Sequence, residues 1–143
     1  MNDPLDFDEF DWLSLVRIAR DDDWHSIHLW LEKHFRSEEH VKALLVFLPV
    51  VIAKAFPLPF KESHWFFGRN KELLGLDTAS SFIDAANLMI FAEVKNDRLL
   101  GVRVFSEVVG RDIEYRVYVA VELIRSFGEA QRAFLAYLES IGA

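Results

Sequence analysis

Apolar residues recur along most of this chain at the spacing of an α-helix, and that period constrains the fold more than any other feature of the sequence. Trp24, Ile27, Leu31 and Phe35 fall on one helical stripe. The periodic segments are bounded by residues that start and stop helices. Asp3 followed by Pro4 predicts an N-cap with proline at the first helical position, opening a helix to about Arg20 in which Trp12, Leu15, Val16 and Ala19 share a face. Asp21, Asp22 and Asp23 then end one helix and cap the next, because carboxylates accept from free backbone N–H groups and favour the positive end of the helix dipole.

Ser37-Glu38-Glu39 opens a third helix carrying Ala43, Leu44, Leu45, Phe47 and Leu48, and Pro49 is expected to kink it into two halves. Phe56-Pro57-Leu58-Pro59-Phe60 reads as a non-helical linker. A short helix follows, capped by Ser63, carrying Trp65, Phe66 and Phe67 and ending near Gly75. From Asp77-Thr78 the chain enters its most apolar helix, Ser80 to about Lys95, whose only polar strip is Asp84 and Asn87. A helix apolar almost all round is expected at the centre of the fold.

The stretch from Leu99 to Leu123 admits two readings. Its alternation at Ile113, Tyr115, Val117, Val119, Val121 and Leu123 suits a strand, with a β-hairpin turning at Gly110-Arg111-Asp112. The preferred reading is helical, because Glu114, Tyr118, Glu122, Arg125 and Ser126 share one arc while Ile113, Val117, Ala120, Val121 and Ile124 share the other. Asp112 is then the N-cap, and Gly110, Gly128 and Gly142 stand where a left-handed residue closes a helix. The expected fold is all-α, a multi-helix bundle of about seven to eight helices in a single domain over residues 1–143. The alternative is α+β, with a hairpin within 99–123.

Composition bounds the function. The 143 residues contain no cysteine, which removes disulfides and thiol chemistry and fits a reducing cytoplasm. The acidic first segment lacks the features of a secretory or mitochondrial leader, and the longest uncharged run, Ala43 to Ala53, falls short of the roughly 20 apolar residues a bilayer span requires. A cytoplasmic location away from membranes is expected. The net charge of −7 is uneven: up to Asp23 there are eight acidic residues against two basic, a local net of −6. Such a field repels nucleic acid and attracts basic protein surfaces.

Chemical motifs are few. His25, His28 and Glu32 lie along one edge of the second helix, three ligands where a structural zinc site usually needs four, so no metal is expected there. No phosphate loop, dinucleotide fingerprint or nucleophile elbow occurs, and no cofactor is expected. Arg20-Asp21-Asp22-Asp23-Trp24-His25 resembles the six-residue Arg-to-His motif of helical ribonucleases of the HEPN superfamily. The resemblance implies His25 as general acid or base and Arg20 as a phosphate-stabilising cation. The three carboxylates between them oppose an RNA backbone.

Glu93 and Arg116 fall inside the apolar arcs of their own helices, where each needs a partner or an outward path. The segment Phe56 to Phe67 is read as core filling, with an exposed partner surface as the alternative. The leading functional expectation is a non-enzymatic acidic domain that binds a basic protein, as immunity proteins and antitoxins do, through Asp8, Glu9, Asp11, Asp21, Asp22, Asp23 and Trp24. The alternatives are a HEPN-like ribonuclease and a helical regulator or ligand sensor with a pocket under the third helix.

Overall fold

The computed structural model describes residues 12–34, 38–67 and 81–142. Among them are seven α-helices and no strand: α1 (Trp12–Asp21), α2 (Trp24–His34), α3 (Glu38–Lys54), α4 (Leu58–Glu62), α5 (Phe82–Lys95), α6 (Arg98–Val109) and α7 (Ile113–Ser140). The all-α reading holds, and the hairpin alternative does not. Asp112 makes the predicted N-cap, its side chain accepting from the Tyr115 N–H at 2.8 Å. Asp97 does the same for α6 through the Leu100 N–H at 3.1 Å. Between α5 and α6, Asn96 takes the left-handed conformation at φ 59° and closes α5. Two helices therefore meet where a strand was the rival, because each segment has its own cap.

Helix α7 runs 28 residues, about 42 Å at 1.5 Å per residue, and packs against α1, α2, α3, α5 and α6. Its middle is covered on every side, so Glu122 and Ser126, which share the sequence's polar arc, are buried, Glu122 to 7% exposure. Helix α5 is the other central element, buried continuously from Ala85 to Ala92 with Asn87 donating to the Ile83 carbonyl at 3.0 Å.

Three sequence expectations are corrected. Helix α3 continues through Pro49, which is buried. The sharp bend comes later, between Lys54 and Leu58, where the chain turns by 116° from α3 into the following segment. Pro57 is the extended residue preceding α4, and Pro59 falls in the helix's first turn, where a missing N–H costs nothing. The supposed linker is thus helical from Leu58, and a π-helical turn, Ser63–Phe67, follows it. Phe56, Phe60 and Trp65 are buried; the rings of Phe56 and Phe60 meet Phe127, Phe134 and Tyr137 of α7 edge-on or tilted, and Trp65 packs against Phe56 and Phe60. Core filling is what these aromatics do.

Gly128 is the third correction. It lies in mid-helix rather than at an end, and a Cβ added there would stand 1.8 Å from the Ala19 carbonyl oxygen. The absent side chain lets the α1 backbone touch α7. Gly110 follows α6 with φ −78°, so only Gly142, at φ +75°, has the left-handed geometry expected of the three glycines. The expectations for Asp3, Pro4, Phe35, Ser37, Gly75, Asp77, Thr78 and Ser80, and for the side chains of Trp12, Phe66 and Phe67, concern positions outside the described residues. Among the described residues no single helix is long and apolar enough to cross a membrane.

Glu93 and Arg116 separate in fate. Glu93 is exposed. Arg116 has a side chain only 13% exposed and is bound on three sides: Val109 O at 2.7 Å, Arg111 O at 3.1 Å and the Glu38 carboxylate at 3.4 Å. It ties the end of α6 to α7 and to the start of α3. Replacing it with methionine orphans those carbonyls and is expected to cost about 1–3 kcal/mol, whereas Glu93→Gln costs less than about 0.5 kcal/mol. Chemical denaturation of both single variants and the double tests this, with additive effects expected since the two share no partner.

Gly128→Ala gives a second test. In an exposed helix interior that change stabilises by about 1 kcal/mol; here the added methyl meets backbone, and a loss of about 2 kcal/mol or more is expected. Thermal melting should fall by at least about 5 °C. A rise would mean that α1 does not lie against α7 as described.

Candidate functional site

The junction of α1 and α2 carries most of the residues that the sequence singles out, and the structure separates them. Asp22 is left-handed at φ 50°, a conformation aspartate tolerates better than most residues. It directs its carboxylate to α7, accepting from Arg125 Nε at 2.9 Å and from Arg132 at 3.4 Å. Arg125 also binds the buried Glu122 at 3.1 Å, and Arg132 donates to the Arg20 carbonyl at 3.2 Å, closing the C-terminal end of α1. The hydrogen bond to Asp22 raises the Arg125 pKa further, so the guanidinium stays charged. Asp22 is the clamp between the junction and α7.

Asp23 caps α2, accepting from Ser26 Oγ at 2.6 Å and from the His25 N–H at 3.3 Å. The Ser26 bond comes first among the causes that hold its carboxyl below the usual aspartate value. The cap therefore contributes stability above the ordinary aspartate range that is lost as pH falls through the lowered pKa. Asp21 is exposed. Asp8, Glu9 and Asp11 lie outside the described residues.

Trp24, the first residue of α2, is half-buried and joins rings from two other helices. Its centroid is 6.0 Å from Phe82 of α5 and 5.6 Å from Tyr118 of α7, and Phe82 and Tyr118 are 5.5 Å apart. His28 adds an edge contact to Tyr118 at 6.5 Å. All four side chains are partly exposed, so the cluster forms part of the surface as well as backing onto the core. Carboxylates surround it in sequence and space: Tyr118 donates to Glu114 at 2.8 Å, and His28 faces Glu32 at 3.7 Å. Asp23 adjoins Trp24 in the chain. The bond to Glu114 is the main reason the Tyr118 phenol titrates above its ordinary value.

Sequence reasoning named Trp24 and missed its ring partners. Phe82 and Tyr118 lie 58 and 94 residues further on, and no local signal joins them.

The remaining motifs stay dispersed. Arg20 and His25, which carry the likeness to the HEPN motif, are both exposed, with exposed Asp21 and Asp23 beside them. That neighbourhood is unfavourable for phosphate. Among the described residues no three His, Asp or Glu side chains gather in metal-binding geometry, and His28 meets only the single carboxylate of Glu32 from the expected trio. Compared with family models, curated proteins and solved structures, the chain shows no match.

The Tyr118–Glu114 pair is open to direct test. Glu114→Gln removes the acceptor charge, so the Tyr118 phenol should return toward its ordinary pKa of about 10. Tyrosine titration followed by NMR, with Tyr118→Phe to assign the signal, is the measurement. No change in the variant would mean the pair is not formed.

Proposed function

We propose that this chain is an acidic protein-binding domain, non-enzymatic and cytoplasmic, that docks on a basic protein partner through the surface around Trp24, as immunity proteins and antitoxins cover their targets. One observation carries the reading: three partly exposed aromatic rings from three helices touch one another beside the Asp23, Glu32 and Glu114 carboxylates. Aromatic rings supply contact area at little entropic cost and attract lysine and arginine over their faces. Carboxylates at the rim speed encounter with a basic surface and discriminate against acidic ones. Nucleic acid and anionic membrane surfaces are disfavoured by the same charges.

The reading divides the acidic run by role. Asp21, Asp23 and Trp24 belong to the recognition surface, while Asp22 holds the fold through Arg125 and Arg132; Asp8, Glu9 and Asp11 add their charge to the acidic start of the chain. Asp22→Asn keeps the left-handed propensity and loses the charge; it is expected to cost about 1 kcal/mol, since the pairs are partly solvated, and to leave partner binding intact.

The experiment is to copurify the chain from its native host, identify a stoichiometric basic protein, and measure association at low and high salt. Trp24→Ala should weaken the complex by about 2 kcal/mol or more, as for an interface anchor. Asp21→Asn with Glu114→Gln should slow association and flatten its salt dependence. A copurifying RNA in place of a protein, or unchanged affinity in folded Trp24→Ala and in the charge variant, overturns the proposal.

A further inference from the structure

On another face of the bundle, α3, α5 and α6 enclose a groove of about 600 Å³, within the range of small-molecule sites. Leu45, Met89 and Ala92 form its buried floor, and Pro49 and Phe105 stand at its sides. Its lips are Val46 of α3 and Val102 of α6, respectively 55% and 65% exposed, an apolar margin where a surface would ordinarily be polar.

One end differs in chemistry. At the junction of α5 and α6 the groove is lined by Glu93, Asn96, Asp97 and Arg98. Asp97 has its carboxylate engaged as the α6 cap, and Arg98 beside it in the chain is exposed, so this end of the lining carries two carboxylates against one guanidinium. Lys95 is directed elsewhere, 5.7 Å from the centre of the Phe91 ring. Glu93 forms no ion pair among the described residues. It occupies the arc of α5 that otherwise faces the core, and it is exposed because that arc opens here onto the groove. The charged end of the apolar trough is therefore net negative, with Glu93 as the carboxylate not used as a helix cap.

We propose that this groove binds a small amphiphile with an apolar body and an ammonium head, the body lying between Val46, Met89, Val102 and Phe105 and the head against Glu93. Apolar contact supplies the affinity and the carboxylate the orientation and the choice of head group. An anionic amphiphile would place its charge against Glu93 and be rejected.

The test is calorimetric titration with n-octylammonium, octan-1-ol and octanoate, all below their aggregation concentrations. Saturable binding of one octylammonium is expected, with octanol about fivefold weaker for lack of a partly solvated ion pair, and octanoate weaker again. Glu93→Gln should bring octylammonium down to the level of octanol, and Val102→Arg at the lip should abolish binding of both. These positions are exposed, so both variants fold, which melting verifies. Trp24→Ala should leave all three titrations unchanged, so this site stands or falls separately from the partner surface. Absence of saturable binding, equal affinity for the three probes, indifference to Glu93→Gln, or binding that survives Val102→Arg would overturn the proposal.

Discussion

The contact between the backbones of α1 and α7 at Gly128 governs much of what this molecule presents to its surroundings. Ala19 and Leu15 are fully buried on that contact, and the glycine allows α1 to lie where a larger residue would hold it away. This approach delivers the α1–α2 junction to Arg125 and Arg132, three positions after the buried Glu122 and four after the crossing glycine respectively, so that Asp22 turns inward and its neighbours outward. Burial of Glu122 is tolerated because Arg125 sits between it and Asp22, a chain of alternating charges rather than an isolated ion.

A long helix with others packed along most of its length cannot keep a continuous solvent face, and α7 shows the consequence. Its central turns are packed all round, while its first turns emerge to carry Glu114 and Tyr118 onto the surface. There Tyr118 meets Trp24 and Phe82, each brought in at or near the start of a different helix. The same crowding explains why Arg116 must satisfy the carbonyls at the end of α6, whose closing residue Gly110 is not left-handed. At the other side of the bundle α3 and α6 diverge enough over α5 to leave the groove, whose floor is as well packed as the core.

The two proposed surfaces differ in their physical logic. Around Trp24, recognition rests on aromatic area and long-range charge, which suits a large basic partner met by diffusion. In the groove, enclosure and a net negative end suit a small ligand oriented by its head group. They lie on different helices, apart from α5, which contributes Phe82 to one and Glu93 to the other, eleven residues apart.

The sequence by itself determined that these segments are helical and where α7 begins, because caps and periodicity are written within four residues of one another. Asp112, the almost wholly apolar run from Ala85 to Ala92 and the stripe of Ile27 and Leu31 were legible for that reason. The burial of Phe56 and Trp65 was legible as well, since so much aromatic surface is costly to leave in water. Tertiary structure alone decided that Gly128 is a crossing point rather than a terminus, that Glu122 is buried and Glu93 exposed, and that Asp22 belongs to Arg125 and Arg132. Those outcomes depend on which helix covers which arc, and the partners are separated by about a hundred residues, a distance over which helical period carries no information.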